Sequence, residues 1–167
     1  MRPIALLVAA LSAAAPAFAA DKKPLGEFEQ WSAFETRQDG GPVCYAIARP
    51  QEMLPKGVAR GEVWLLVTHR PKQKARNEVS VVAGYPLKAD SKVELQIDAA
   101  TFQMFVSGDN AWSEKPQDDE RLVSAMRKAR QIVVSGISQR GTKTTDRYAL
   151  AGFVLALRAI GKACDVD

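Results

Sequence analysis

His69 is the only histidine in the chain, and Cys44 and Cys164 are its only cysteines. Nucleophilic, acid–base or metal chemistry would have to draw on these three side chains and on carboxylates. His69 lies in Thr68-His69-Arg70-Pro71, at the end of an apolar run. A general base needs a nucleophile or an acid held beside it, and no spacing in the chain supplies one. One histidine and two cysteines fall short of a structural zinc set, and the carboxylates match no known metal loop. There is no Gly-x-Ser-x-Gly elbow, no phosphate-cradling glycine loop and no His-Glu-x-x-His. Asp118-Asp119-Glu120 gathers three acids, but the first turn of a helix explains them better than catalysis does. The expectation is a non-enzymatic protein with no cofactor and no metal. A periplasmic hydrolase pairing His69 with a carboxylate stays as an alternative.

The cationic residues are more suggestive. Arg70, Lys72, Lys74 and Arg76 crowd one short segment, and Arg140 and Lys143 flank Gly141 with Arg147 nearby. These six, Arg70, Lys72, Lys74, Arg76, Arg140 and Lys143, form the candidate binding surface. Such a surface would suit an acidic partner or an anionic one such as lipopolysaccharide. The plainer reading of the first group is a solvated hairpin tip, where lysines also guard against edge-to-edge pairing. Aromatic residues do not interleave with either group as they do in single-strand nucleic-acid grooves. The formal net charge of +4 is too modest to point to nucleic acid.

The cysteines carry their meaning through compartment. Met1-Arg2, the uncharged apolar run 4–15 and Ala17-Phe18-Ala19 make a secretory leader with a small-x-small cleavage site. Residues 1–19 are therefore read as a signal peptide and 20–167 as a single mature domain. The apolar run is shorter than the ~20 residues a helical span needs, and no later segment is long enough. In an oxidising compartment the two cysteines most simply pair with each other. A reactive thiol or an intermolecular bridge are the alternatives. Closing so long a loop would remove about 4–5 kcal/mol of freedom from the unfolded chain.

The elements that must position these residues are mostly strands. Residues 43–48 alternate, 63–67 form a continuous apolar run expected to be buried on both faces, and 79–85 alternate until Pro86. Val93, Leu95 and Ile97 oppose Lys92, Glu94, Gln96 and Asp98, a strand with one wet face. Residues 102–106 follow, with a turn at Gly108-Asp109-Asn110. A late pair, 132–137 and 142–150, is joined across 138–141. Two segments carry helical spacing instead. In 118–130 acids lead and Arg127, Lys128 and Arg130 close, favourable for the helix dipole at both ends. In 152–164, Phe153, Leu157, Ile160 and Cys164 share one stripe, which would tether a terminal helix to the strand carrying Cys44. The fold class expected is mainly β, a β-sandwich-like single domain with two helices near the C-terminus and one disulfide.

Several motifs occur in an order that resembles the invasion-associated locus B family of alphaproteobacteria. They are Val43-Cys44-Tyr45, Thr68-His69-Arg70-Pro71, Asn77-Glu78-Val79-Ser80, Gly84-Tyr85-Pro86 and Gly108-Asp109-Asn110-Ala111-Trp112. Ser138-Gln139-Arg140-Gly141-Thr142, Asp146, Tyr148, the segment 150–153 and Ala163-Cys164 continue the likeness. It covers about Trp31 to Cys164. The resemblance implies an exported, periplasmic or outer-membrane-associated protein, mainly β, with no defined catalytic residues. The function expected is binding of an envelope or host partner, in host-cell invasion or envelope maintenance. A secreted enzyme inhibitor is the other alternative, since small disulfide-closed β domains suit rigid binding loops.

Overall fold

Period-two alternation gives most strands one apolar face, and that face must be buried against something. The computed structural model describes residues 22–166, so the leader read at 1–19 lies outside the described residues. Eleven strands form a single antiparallel sheet. They are β1 (Lys23–Phe28), β2 (Trp31–Gln38), β3 (Gly41–Ala48), β4 (Glu52–Leu54), β5 (Trp64–Arg70), β6 (Ala75–Val82), β7 (Lys92–Ile97), β8 (Ala100–Ser107), β9 (Asn110–Trp112), β10 (Gln131–Ile137) and β11 (Lys143–Ala149). Two helices, α1 (Pro116–Met126) and α2 (Phe153–Cys164), complete the fold. Across the sheet the order is β1-β2-β3-β5-β6-β9-β8-β7-β10-β11-β4.

Register aligns the inward residues into rows. Ala33, Ala46, Val67 and Val79 pair in sequence across four strands, and all four are buried. The sheet does not lie flat. The Trp31 indole Nε1–H on β2 donates to the Ala149 carbonyl on β11 at 3.0 Å. Eight steps of about 4.8 Å would hold these strands some ~38 Å apart in a flat sheet. The sheet therefore folds back over its own apolar face, as a sandwich-like body requires. Strand β4, which the apolar pattern does not mark, pairs with β11 and fastens the β3–β5 connection to the far edge.

The helices fill what the folded sheet leaves open. α2 packs on β1, β2, β3 and β5. Its stripe of Phe153, Leu157, Ile160 and Cys164 is buried, with the Phe153 ring 4.8 Å from that of Trp31. Burial of each large apolar side chain contributes about 2 kcal/mol. Cys44 and Cys164 form the expected disulfide, with Cα atoms 6.0 Å apart. Gly152 precedes α2 at φ +85°, and a Cβ there would meet the Phe28 carbonyl oxygen at 1.8 Å. Only glycine fits this close crossing.

Strand β9 pairs with both β6 and β8 but only along residues 110–112. α1 packs on β6 where β9 stops. It runs from Pro116 to Met126, shorter than the helix read at 118–130. Arg127, Lys128 and Arg130 lie beyond it, because the chain needs them to turn into β10. The helix thus lacks the basic last turn expected of it. The run 63–67 also differs from expectation, since Leu65 and Val67 are buried while Trp64 and Leu66 are only half-buried. On that outer face the Arg49 guanidinium lies over the Trp64 ring at 4.1 Å.

Candidate functional site

The six candidate cations occupy two places. Arg70 ends β5 and pairs with Glu78 at 3.3 Å while donating to the Gln38 side chain at 3.0 Å. Lys72, in the tight turn Pro71–Gln73, donates to the Asp39 carbonyl. Arg76 pairs with Glu120 at 3.1 Å. Of this group Lys72 and Lys74 make no ion pair among the described residues. Arg140 and Lys143 lie past the other end of β6, where the Gln139 N–H donates to the Pro86 carbonyl at 2.8 Å. Residues 77–82 of β6, about 20 Å of strand, separate the two groups. They are two surfaces, and the first has much of its charge engaged internally.

His69 is 2% exposed. Its Nδ1 accepts the Asn77 backbone N–H at 3.0 Å, which places the ring proton on Nε2. Asn77 sits at φ +56°, and its side-chain amide donates to both Glu120 carboxylate oxygens at 3.1 and 3.0 Å. The Glu120 carboxylate is thus bound by the Asn77 side chain, while the imidazole takes the Asn77 backbone N–H. Burial, with the nearby Arg76 charge, lowers the His69 pKa to about 4, so the ring is neutral near pH 7. His69 joins β5, β6 and α1. Asp119 does similar work: its Oδ1 accepts the Val79 N–H at 3.0 Å, an amide on the stretch of β6 that β9 leaves unpaired. Burial pushes its carboxyl pKa up. The acids at 118–120 are therefore more than a helix first turn.

The most developed polar constellation lies at the far end of β6. Arg60, on the β4–β5 connection, grips Asp146 of β11 in a two-pronged pair at 2.6 and 2.7 Å. The two side chains are 5% and 4% exposed. The same guanidinium donates to the Ala83 carbonyl at 3.1 and 2.8 Å and lies 4.9 Å from the Tyr85 ring centroid. Burial works against the charge of Arg60, but the hydrogen bonds and charge of Asp146 outweigh it, so its pKa is raised. The Tyr85 and Thr144 hydroxyls hydrogen-bond to each other. Tyr148 lies buried in the same region, where loss of solvent drives its pKa up.

Through Tyr85 and Thr144 this network borders an open cleft of about 510 Å³. It is lined by apolar Val58, Ala59 and Pro86, by residues of the 138–142 turn, and by the hydrogen-bonded Tyr85 and Thr144. Among the described residues, Arg140 is the only charged one lining it. The cleft walls are tied by Gly61 N–H to Gly84 carbonyl and by Gln139 N–H to Pro86 carbonyl, each at 2.8 Å.

Of the cleft and its support, sequence reading singled out Arg140 and placed Tyr85, Asp146 and Tyr148 within motifs. It missed Arg60 and the pairing itself. Arg60 and Asp146 are 86 positions apart, and a lone arginine between two glycine-bearing loops carries no periodic signal.

The family model described as "Invasion associated locus B (IalB) protein" matches residues 31–161. Among solved structures the chain is similar to the invasion associated protein B of Bartonella henselae. The TM-score is 0.61 at 18% identity, covering 84% of this chain and 97% of that one. At that identity the likeness is one of fold. Comparison with curated proteins finds no match.

Proposed function

The chain belongs to the invasion associated locus B family, and from that premise we propose that it is an exported, non-enzymatic envelope protein that binds a partner. The observation that carries this reading is the cleft beyond β6, whose walls are tied by backbone hydrogen bonds and braced by the buried Arg60–Asp146 pair. A buried ion pair contributes little net stability, whereas pre-organised walls lower the cost of binding. His69 supports the non-enzymatic side, because its Nδ1 is occupied by the Asn77 N–H and the Glu120 carboxylate is taken by the Asn77 side chain. The leader pattern and the disulfide favour the periplasm or the outer membrane as the place of work. The partner would decide whether the binding serves host-cell invasion, the role in the name of the Bartonella henselae protein, or envelope upkeep.

Affinity capture from envelope extract with the mature chain tests this. The expected result is a specific protein that is retained by wild type and lost with Arg140→Gln/Lys143→Gln. A parallel Arg70→Gln/Lys74→Gln bait reports on the other basic surface. If none of the baits captures anything specific, the binding reading fails.

A further inference from the structure

We infer that the cleft beyond β6 recognises the free C-terminal carboxylate of a polypeptide with a small apolar last residue. The inference deepens the binding reading and rests on it.

Arg140 brings one positive charge to the cleft, and among the described residues no carboxylate lines it. A planar guanidinium matches a carboxylate through two parallel hydrogen bonds. Phosphate dianions are more often held by several cations or by a helix N-terminus, and neither lines this cleft. In the same lining Val58 is 45% exposed despite its apolar side chain, and Ala59 and Pro86 add to the apolar wall. That wall suits a small apolar side chain and gives nothing to a charged one.

The remaining groups favour a peptide over a simple alkyl acid. The Gln139 amide and the Thr142 hydroxyl line the cleft and make no hydrogen bond among the described residues. A peptide backbone offers these exposed groups an N–H and a carbonyl in exchange for water, whereas an alkyl chain offers neither. The volume of about 510 Å³ lies within the range of small-ligand clefts. Tyr85 is fixed before any ligand arrives, since it is held by Thr144 and by Arg60.

The test is a titration of the mature chain, followed by backbone amide NMR and calorimetry. The probes are N-acetyl-Ala-Ala-Val as the free acid, the same peptide as its C-terminal amide, decanoate, and inorganic phosphate. The free acid is expected to shift the amides of Gly84, Gly141 and Thr144, with the carboxamide bound about tenfold more weakly. Arg140→Gln, an exposed turn substitution, should lower affinity for the acid about tenfold, and Lys74→Gln should leave it unchanged. Equal binding of acid and carboxamide, or wild-type affinity in Arg140→Gln, would overturn the inference. So would tighter binding of decanoate or phosphate than of the peptide, or no shift at the cleft. Envelope capture that succeeds while the peptides fail would sink the cleft assignment and leave partner binding standing.

Discussion

Burial of a neutral imidazole ties the stability of this fold to pH. The His69 pKa falls from an ordinary 6.5 to about 4 in the folded state. Above pH 6.5 both folded and unfolded chains carry it uncharged. As pH falls from 6.5 towards 4 the unfolded chain takes up a proton that the folded chain refuses, so stability is lost across that window, by up to about 3 kcal/mol. Urea midpoints measured across it should fall in wild type and flatten in His69→Gln, which still offers an acceptor to Asn77. An unchanged slope in the variant would show that other groups carry the effect. The Arg60–Asp146 pair makes a second prediction at this scale. Asp146→Asn leaves a buried guanidinium short of its counter-charge and should cost about 3–5 kcal/mol by chemical denaturation. Arg60→Met combined with Asp146→Leu removes both charges and should recover much of that loss. These residues were poorly legible because their roles come from neighbours distant in sequence. A lone histidine at a strand end and a lone arginine in a loop look the same whether or not a partner awaits them.

At the scale of elements, local backbone demands can be separated from tertiary ones. Gly141 and Gly152 have nearly the same φ, +86° and +85°, but a Cβ at Gly141 meets nothing within 4 Å. Gly141→Ala should therefore cost only the left-handed penalty, about 1–2 kcal/mol. Gly152→Ala adds a clash with the Phe28 carbonyl and should cost more than about 4 kcal/mol. Thermal or urea unfolding of the two variants side by side checks the difference. At the α1–β6 contact, Asp119→Ala strands the Val79 N–H, at a cost of about 1–3 kcal/mol. Hydrogen exchange at that amide should accelerate more than at Val81. The strands with one wet face, such as β7, were readable because their burial alternates residue by residue. Strands β1 and β2 were not. Pro24 and Gly26 interrupt β1 with a register shift, and Phe34 places an aromatic ring on the outer face of β2, beside Tyr45, so apolar residues occur on both faces and the period of two disappears.

For the molecule as a whole, the disulfide and the folded-over sheet act together. Cys44 and Cys164 were legible as a pair because compartment and count leave a simple choice. The sheet closure was not, because the contacts that bring its distant strands together, such as Trp31 to Ala149 and Arg60 to Asp146, join residues 118 and 86 positions apart. Cys44→Ala/Cys164→Ala should lower stability by about 4–5 kcal/mol while keeping the strand order, as read by denaturation and amide NMR. The bond spans 120 positions, and the helix carrying Cys164 covers β1, β2, β3 and β5. A chain delivered N-terminus first presents Cys44 long before its mate exists. Through that interval the early strands lack their lid, and a foreign thiol can reach Cys44. A product cut short before Cys164 would lose at once the helix that covers these strands and the partner of Cys44, leaving a single unpaired thiol.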